Sequence, residues 1–317
     1  MKKLIVLMMA ACAFDAAQAR TLNFPFAGSV VVLLDSAQSA ALNSRPDAYT
    51  AEHTLFDLSI RFNRAANLTE KDYLSAAARD ARDWPEDEQQ QLKEAFDAIA
   101  VSIKKNGLRM KIPDTVMMAK TTAAEEFGAE GWTRGNRIML NTKAEPISVH
   151  LIAHELWHVI SRADKAGRDA AYSVFHFRPC NNIVYKPALH DQVITNPDCP
   201  FLMHCITLKM KDGRSQDAAL ILYSKKKFEP GHDMSYYLSF GLLELTGDDQ
   251  HKKPLLKNGA PVIHELPEVP DLFAQVGMNT QYLLHIEEVT AEHFAALIGS
   301  EKMKQMEYVD GLRRALQ

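Results

Sequence analysis

Residues 146–162 read PISVHLIAHELWHVISR, and this stretch decides the fold. Pro146 suits the first turn of a helix, because its missing N–H would have no partner there. Apolar side chains then recur at helical spacing, which predicts a helix with one buried side. Two short apolar segments, 115–119 and 137–140, precede it and are typical of strands. The sequence therefore predicts two strands that lead into an amphipathic helix.

This helix contains the motif His154-Glu155-Leu156-Trp157-His158. Histidines four residues apart lie on one helix face about one turn from each other, so both imidazoles can reach one Zn²⁺. Glu155 points beside the pair, where its carboxylate can take a proton from a zinc-bound water. We therefore expect His154 and His158 to bind zinc. His150 continues the row, but three stacked imidazoles cannot easily hold one ion, so we expect it to pack or to lie in an outer position.

A catalytic zinc site needs a third protein ligand and an open position. Asp164 follows His158 at the distance at which the metzincin peptidases place their last ligand. That arrangement needs a glycine to end the helix, and Ser161 stands at that position. The alternative source of the ligand is a helical pattern at 282–298, which carries several acids on one turn.

Residues 282–297 read YLLHIEEVTAEHFAAL and resemble the second zinc helix of the gluzincin metallopeptidases, with its Glu-x-x-x-Asp pattern. The resemblance implies that Glu288 is the third zinc ligand. It also implies that Glu292, one turn further on, contacts the outer nitrogen of His154 and orients that ring. Glu292 stands where the family has Asp. Glu287 is expected on a solvated first turn, where the helix dipole favours an acid.

The order of elements predicts an α+β fold rather than a series of βαβ units. A helix is expected to open at Pro85 and to stop at Asn106-Gly107, and a last helix is expected over 301–316. Asp212-Gly213 is expected to join a hairpin. The resemblance to gluzincins implies a zincin-like core with a long insertion before the third ligand. We expect one catalytic domain over 20–317, made of three parts: an N-terminal part with the motif helix (20–165), a loop-rich insertion with the hairpin (166–279) and a helical part with the third ligand (280–317).

Residues 1–19 have the build of a secretory signal peptide. Lys2 and Lys3 begin it, an apolar stretch follows, and Ala17-Gln18-Ala19 is a small-x-small cleavage site. We therefore expect an exported protein, periplasmic or secreted. Met9-Ala10-Ala11-Cys12 is a weaker match to a bacterial lipoprotein box, so anchoring through Cys12 is the alternative.

Three cysteines remain after the signal peptide, Cys180, Cys199 and Cys205, and an odd number cannot pair completely within one chain. One disulfide, 180–199 or 180–205, is compatible with an oxidising compartment, and so are free thiols. Their spacings do not match a zinc ribbon, so none is expected to bind zinc.

Charge and hydropathy exclude several classes of protein. Lys and Arg number 36 against 40 Asp and Glu, and this balance argues against a nucleic-acid partner. No apolar run reaches about 18 residues, so a polytopic membrane protein is excluded and no transmembrane segment is expected after signal removal. A peptide or protein is the expected substrate.

The expected function is that of an exported zinc metallopeptidase. Zinc would lower the pKa of its bound water toward about 7, and Glu155 would take the proton and pass it to the leaving amine. Strand 137–140 is expected at a sheet edge, where it could pair with an extended substrate. Two alternatives stay open: a zinc hydrolase of another amide, and a non-catalytic secreted binding protein that keeps a structural zinc.

The transition state also needs a donor to its developing negative charge. His285 is the first candidate, because it lies close to Glu288 on the same helical pattern. The sequence leaves other candidates open: Tyr282, Tyr236, Tyr237 and His264.

Overall fold

The computed structural model describes residues 22–65, 67–189 and 192–317. The expected signal peptide, and Cys12 with it, lies outside the described residues. Among the helices of the described ranges, none has both the length and the apolar character needed to cross a membrane.

Helices and strands alternate irregularly along the described chain, which confirms the α+β class. The α-helices are α1 (Ser36–Asn43), α2 (Leu55–Phe62), α3 (Glu70–Arg79), α4 (Glu86–Asn106), α5 (Val149–Ala163), α6 (Lys165–Ser173), α7 (Lys186–Leu189), α8 (Met234–Tyr237), α9 (Pro270–Val276), α10 (Ile286–Gly299) and α11 (Met306–Ala315). The strands are β1 (Asn23–Phe26), β2 (Ser29–Leu33), β3 (Ala81–Arg82), β4 (Thr115–Thr121), β5 (Gly131–Arg134), β6 (Arg137–Leu140), β7 (Arg178–Pro179), β8 (His204–Lys209), β9 (Ser215–Tyr223), β10 (Ser239–Thr246), β11 (Lys253–Pro254), β12 (Leu256–Lys257), β13 (Ala260–Pro261) and β14 (Ile263–Glu265).

The first sheet has the strand order β1-β2-β4-β6-β5, and β3 pairs with the end of β4. Its central pairs, β2 with β4 and β4 with β6, are parallel, whereas the outer pairs are antiparallel. Segment 137–140 is therefore not the edge strand that the sequence predicts. It is β6, covered by β4 on one side and by β5 on the other. The chain reverses at Gly135, whose φ of 63° suits glycine, and so β5 forms the edge.

Helix α4 begins after Pro85 and ends at Gly107, with φ 66°, as its sequence pattern predicts. Helix α5 begins one residue after Ser148, whose hydroxyl accepts a hydrogen bond from the Leu151 N–H at 3.1 Å. Its buried face joins α4, the first sheet and α10 in one core. The rings of Trp157 and Phe294, 5.3 Å apart, pack α5 against α10. Burying one large apolar side chain contributes about 1.5–3 kcal/mol, so this face holds α5 firmly.

The long insertion, residues 166–279, contains more helix and strand than the loop-rich segment that the sequence predicts. Its longest strands form a second, antiparallel sheet of order β11-β10-β9-β8-β7, with β14 also paired to β10. The hairpin expected at Asp212-Gly213 is confirmed, since β8 pairs with β9 around it. Buried residues of this sheet, among them Ile206, Leu220 and Leu242, belong to the same core as α5 and α10. The insertion therefore packs directly against the helices that carry the motif residues.

Two helix starts differ from the sequence prediction. Helix α10 begins at Ile286 rather than near 282, because His285 has extended backbone and its side chain accepts from the Glu287 N–H. The last helix, α11, begins at Met306 rather than 301, and Ser300 ends α10 in a left-handed conformation with φ 54°. The side-chain cap of His285 sets the start of α10, and the left-handed backbone of Ser300 ends α10 before the chain becomes helical again at Met306.

Glu125 gives the fold a pH dependence that a single substitution can test. It is buried, its Oε2 has no hydrogen-bond partner among the described residues, and burial raises its pKa from 4.5 to about 8. Because the folded pKa is the higher one, stability falls as pH rises from about 4.5 to about 8. We expect Glu125→Gln to raise the free energy of unfolding at pH 8 by on the order of 2 kcal/mol, and by little at pH 5. Denaturant unfolding at both pH values measures this, and an equal effect at both would contradict it.

Candidate metal centre

Helices α5 and α10 bring together the three residues that the sequence analysis expects to bind zinc. One ligand atom each of His154, His158 and Glu288 lie within 4.8 Å of one another. Glu288 Oε2 is 3.2 Å from His154 Nε2 and 3.6 Å from His158 Nε2. Two neutral imidazoles and one carboxylate are a donor set that zinc binds.

The state of His158 fits a metal ion at this place. Its ring is completely buried, and Nε2 has no hydrogen-bond partner among the described residues. A buried polar atom without a partner costs about 1–3 kcal/mol. Burial would raise the pKa of Glu288, but His158 and His154 lower it to about 2, so its carboxylate is charged. An orphaned nitrogen beside a charged carboxylate fits a divalent cation.

A carboxylate contacts the ring nitrogen of His154 that faces away from the cluster. His154 Nδ1 lies 3.0 Å from Glu292 Oε1, where the resemblance to gluzincins places an outer partner. His150 lies next to Glu292, with its Nε2 3.9 Å from the same oxygen, and its Nδ1 is 2.9 Å from Glu301 Oε1. His150 therefore stands outside the ligand cluster.

Glu287 is not on a solvated turn, so that expectation is wrong. It is 3% exposed, and its Oε1 lies 2.8 Å from His158 Nδ1 and accepts from the Ser161 hydroxyl at 2.6 Å. The Tyr172 hydroxyl donates to its other oxygen. Adjacent residues on a helix point about 100° apart, so Glu287 can contact Nδ1 of His158 while Glu288 lies near Nε2 of the same ring. The paired acids were the sequence feature that could have indicated this.

Removing an outer carboxylate is expected to weaken metal binding without removing a ligand. We expect Glu292→Ala to lower zinc affinity about 10–100-fold, because His154 loses the partner that orients its ring. Competition with a chromophoric chelator measures this affinity. The matched control is Glu301→Ala, which removes a carboxylate that pairs with His150 and not with a residue of the ligand cluster among the described residues. Equal affinities of the two variants would contradict a role of Glu292 in orienting His154.

Glu155 lies beside the cluster and is held by the edge strand. Its Oε2 accepts from the Thr133 hydroxyl at 2.9 Å, and the side chain is 3% exposed. Gly131 leaves the space that this carboxylate occupies, since a Cβ there would stand 3.0 Å from Glu155 Oε1. Burial raises the pKa of Glu155 to about 7. A carboxylate with that pKa can both accept and return a proton near neutral pH.

A loop of the insertion, residues 196–199, reaches the same centre, which the sequence analysis does not predict. Asn196 Nδ2 donates to Glu288 Oε1 at 2.7 Å. Asp198 Oδ1 lies 4.0 Å from His158 Nε2, and Glu155, His158 and Asp198 form a second group whose ligand atoms lie within 4.8 Å. Residues 196–200 read NPDCP, a turn-forming string, and loop residues show no periodicity that would indicate their neighbours.

Asp164, the alternative third ligand, caps a helix instead. Its Oδ1 accepts from the Gly167 N–H at 3.2 Å and caps α6, and its Oδ2 accepts from the Lys111 N–H at 3.1 Å. In the described part of the chain it belongs to no cluster with the two histidines. The structure therefore groups the histidines with Glu288 rather than with Asp164.

The candidate donors to the transition state are distributed over the molecule. The Tyr282 ring lies 6.4 Å from the His154 ring, and His285 stands at the start of α10. The Tyr237 hydroxyl donates to the backbone of Glu229, and Tyr236 stacks on His232. His264 pairs with Glu244 at 2.6 Å. Of these candidates, the structure thus places the ring of Tyr282 near a cluster residue, and His285 three residues before Glu288.

The three cysteines are free, and they lie in two places. Cys180 and Cys205 interact with each other, which together with burial raises the pKa of Cys180. The Cys199 thiol instead lies 3.9 Å from Glu288 Oε1. Cys205 also groups with Asp217 and Asp249, but Arg178 and Lys252 bind both acids in a salt-bridge network. Neither of the two compatible disulfides is formed, and Cys180 interacts with Cys205 rather than with Cys199.

Comparison with known proteins adds one finding. Residues 83–166 match the family model described as the eCIS core domain. The matched segment includes α4, the strands β4 to β6 and α5, and so it contains both histidines and Glu155 but not Glu288. No curated protein and no solved structure matches this chain.

Proposed function

We propose that this protein is a zinc-dependent metallopeptidase that resembles the gluzincins. The observation that supports it most is the convergence of His154, His158 and Glu288 from two helices, far apart in sequence, around an unpartnered buried nitrogen. Glu155 beside them supports a catalytic site, because a purely structural zinc site has no use for a general base. Export to the periplasm or the medium is part of the proposal and rests on residues 1–19.

Three residues would hold the ion: His154, His158 and Glu288. When bound there, zinc lowers the pKa of a water molecule and polarises the carbonyl under attack. Glu155 accepts the proton of the attacking water and then donates it to the amine that leaves. The Thr133 hydroxyl keeps the Glu155 carboxylate in place during both transfers.

The edge strand β5 offers the backbone groups that an extended peptide could pair with. Thr133 N–H and C=O point away from β6, because the N–H donates to Asp198 Oδ1 at 2.6 Å and the C=O accepts from Arg162 at 3.2 Å. Strand addition at such an edge holds a substrate in a fixed register. The peptide would run where the 196–199 loop now lies.

His285 is suited to donate to the developing negative charge. Burial lowers its pKa to about 3, so the ring is neutral. Its Nδ1 accepts from the Glu287 N–H at 3.0 Å, which leaves the proton on Nε2. That Nε2 is buried and has no acceptor among the described residues. It is therefore an unused donor at the start of the helix that carries Glu288.

The test is zinc content together with zinc-dependent hydrolysis. The mature chain is analysed for bound metal and then incubated with a diverse peptide mixture, before and after chelation and after zinc is restored. We expect about one zinc per chain and cleavage that disappears and returns with the metal. A folded protein that takes up no zinc would overturn the proposal. Zinc uptake without cleavage of any peptide, even when Asp198 is replaced, would favour the alternative of a binding protein with a structural zinc.

A further inference from the structure

We propose that Asp198 is a fourth metal ligand, and that the 196–199 loop closes the metal centre in a latent form of the protein. The statement about ligation stands without the proposed function. The statement about latency rests on it, because only a hydrolase needs an open position on its metal.

The ligation follows from the two overlapping clusters, which share His158. The orphaned His158 Nε2 lies 3.6 Å from Glu288 Oε2 and 4.0 Å from Asp198 Oδ1. Ligand atoms at about 2.0–2.2 Å from a tetrahedral zinc stand roughly 3.4 Å from one another. The separation to Glu288 exceeds that value by about 0.2 Å and the separation to Asp198 by about 0.6 Å. An ion on this nitrogen therefore has Glu288 at ligand distance. Asp198, which groups with His158 and Glu155 rather than with His154 and Glu288, reaches the ion in our proposal by a small shift of its side chain.

A fourth protein ligand changes what the site can do. Zinc sites with four protein ligands are closed and structural, whereas catalytic sites keep one position for water or substrate. With Asp198 on the metal, that position is filled. Glu155, whose ligand atom clusters with those of His158 and Asp198, then faces a carboxylate instead of a water molecule. The proposed hydrolysis cannot begin until Asp198 leaves.

The loop also occupies the place of the substrate. The Thr133 N–H of the edge strand donates to Asp198 Oδ1 at 2.6 Å. Arg162 donates to the carbonyls of Pro197 and Asp198, at 3.0 and 2.8 Å, and to the carbonyl of Thr133 at 3.2 Å. Asn196 fixes the other end on Glu288. The loop thus occupies the free N–H and C=O groups of Thr133 on the edge of β5, through the Asp198 carboxylate and through Arg162 rather than by backbone pairing.

The loop borders a cavity into which, in our proposal, it moves. Asp198 and Cys199 line a cavity of about 410 Å³, together with Arg162 and residues from the turn between β5 and β6. The contacts that hold the loop on the centre are hydrogen bonds to Thr133, Arg162 and Glu288. A shift of the loop toward the cavity breaks these bonds but leaves the buried faces of α5 and α10 packed.

The experiment compares Asp198→Asn with the wild type and with Asp212→Asn, a matched change in the exposed turn of the β8–β9 hairpin. Zinc affinity is measured by chelator competition, and the visible spectrum of the Co²⁺-loaded protein reports the ligand set. We expect Asp198→Asn to bind zinc at least about tenfold more weakly and to change the Co²⁺ spectrum. We also expect it to cleave peptides at least about tenfold faster, since the blocking ligand is weakened. Circular dichroism verifies the fold.

The two statements fail in different ways. Unchanged zinc affinity and an unchanged Co²⁺ spectrum in Asp198→Asn would overturn ligation by Asp198. Altered metal binding with no hydrolysis by either protein would keep the ligand and reject the peptidase. Altered metal binding with hydrolysis no faster than in the wild type would reject latency. Asn196→Ala, which frees the loop but keeps all four ligands, is the second variant, and we expect it to raise hydrolysis with a smaller loss of zinc affinity.

Discussion

Replacing Glu155 by Gln is expected to lower peptide hydrolysis by about 10²–10⁴-fold while the protein keeps its zinc. Gln has nearly the same size and can still accept the hydrogen bond from the Thr133 hydroxyl, but it cannot take a proton from water. The large effect follows because Glu155 is a buried acid beside the cluster and its carboxylate is already held by a hydroxyl on the edge strand. Zinc per chain and kcat are measured on the same preparations.

The comparison is made in the wild type and in the Asp198→Asn background, because a closed loop would hide the loss of a general base. Glu301→Gln is the matched control, because Glu301 is an exposed acid that pairs with His150. Equal kcat values of Asp198→Asn and of the double variant with Glu155→Gln would contradict the role of Glu155 as general base. Loss of zinc from Glu155→Gln would instead show that this carboxylate binds the metal.

Replacing Glu288 by Ala is expected to lower zinc affinity by more than about 100-fold, a larger loss than that of an outer partner. Glu288 is 2% exposed, and its Oε2 lies within 3.6 Å of the Nε2 atoms of both histidines. The variant keeps the two imidazoles and the proposed ligand Asp198, a ligand set that binds zinc more weakly. Zinc per chain after dialysis and chelator competition measure the loss, and circular dichroism shows that the variant is folded.

Asp164→Ala is the control that separates the two possible third ligands. Asp164 caps α6 and contacts the Lys111 N–H, so its loss is expected to affect stability but not metal content. The reverse result, zinc lost from Asp164→Ala and kept by Glu288→Ala, would contradict the arrangement described here and favour the metzincin one.

The sequence by itself determined what depends on neighbours within one element. Helical spacing puts His154 and His158 on one face of α5 whatever packs against it, because an α-helix repeats every 3.6 residues. The same logic located α4 between Pro85 and Gly107. The positions of Glu288 and Glu292 came from resemblance to the gluzincins rather than from spacing, and the structure places them beside the two histidines.

Only the tertiary structure decided which strand is the edge and what surrounds the metal residues. β6 is covered because the turn at Gly135 folds β5 back onto it, and pairing partners cannot be read from one strand alone. Glu287 became the partner of His158, and Asp198 reached the same ring from the insertion. These contacts join residues far apart in sequence. These long-range contacts depend on how the second sheet packs against α5 and α10. Local periodicity does not determine the distances between separate elements, and tertiary packing does.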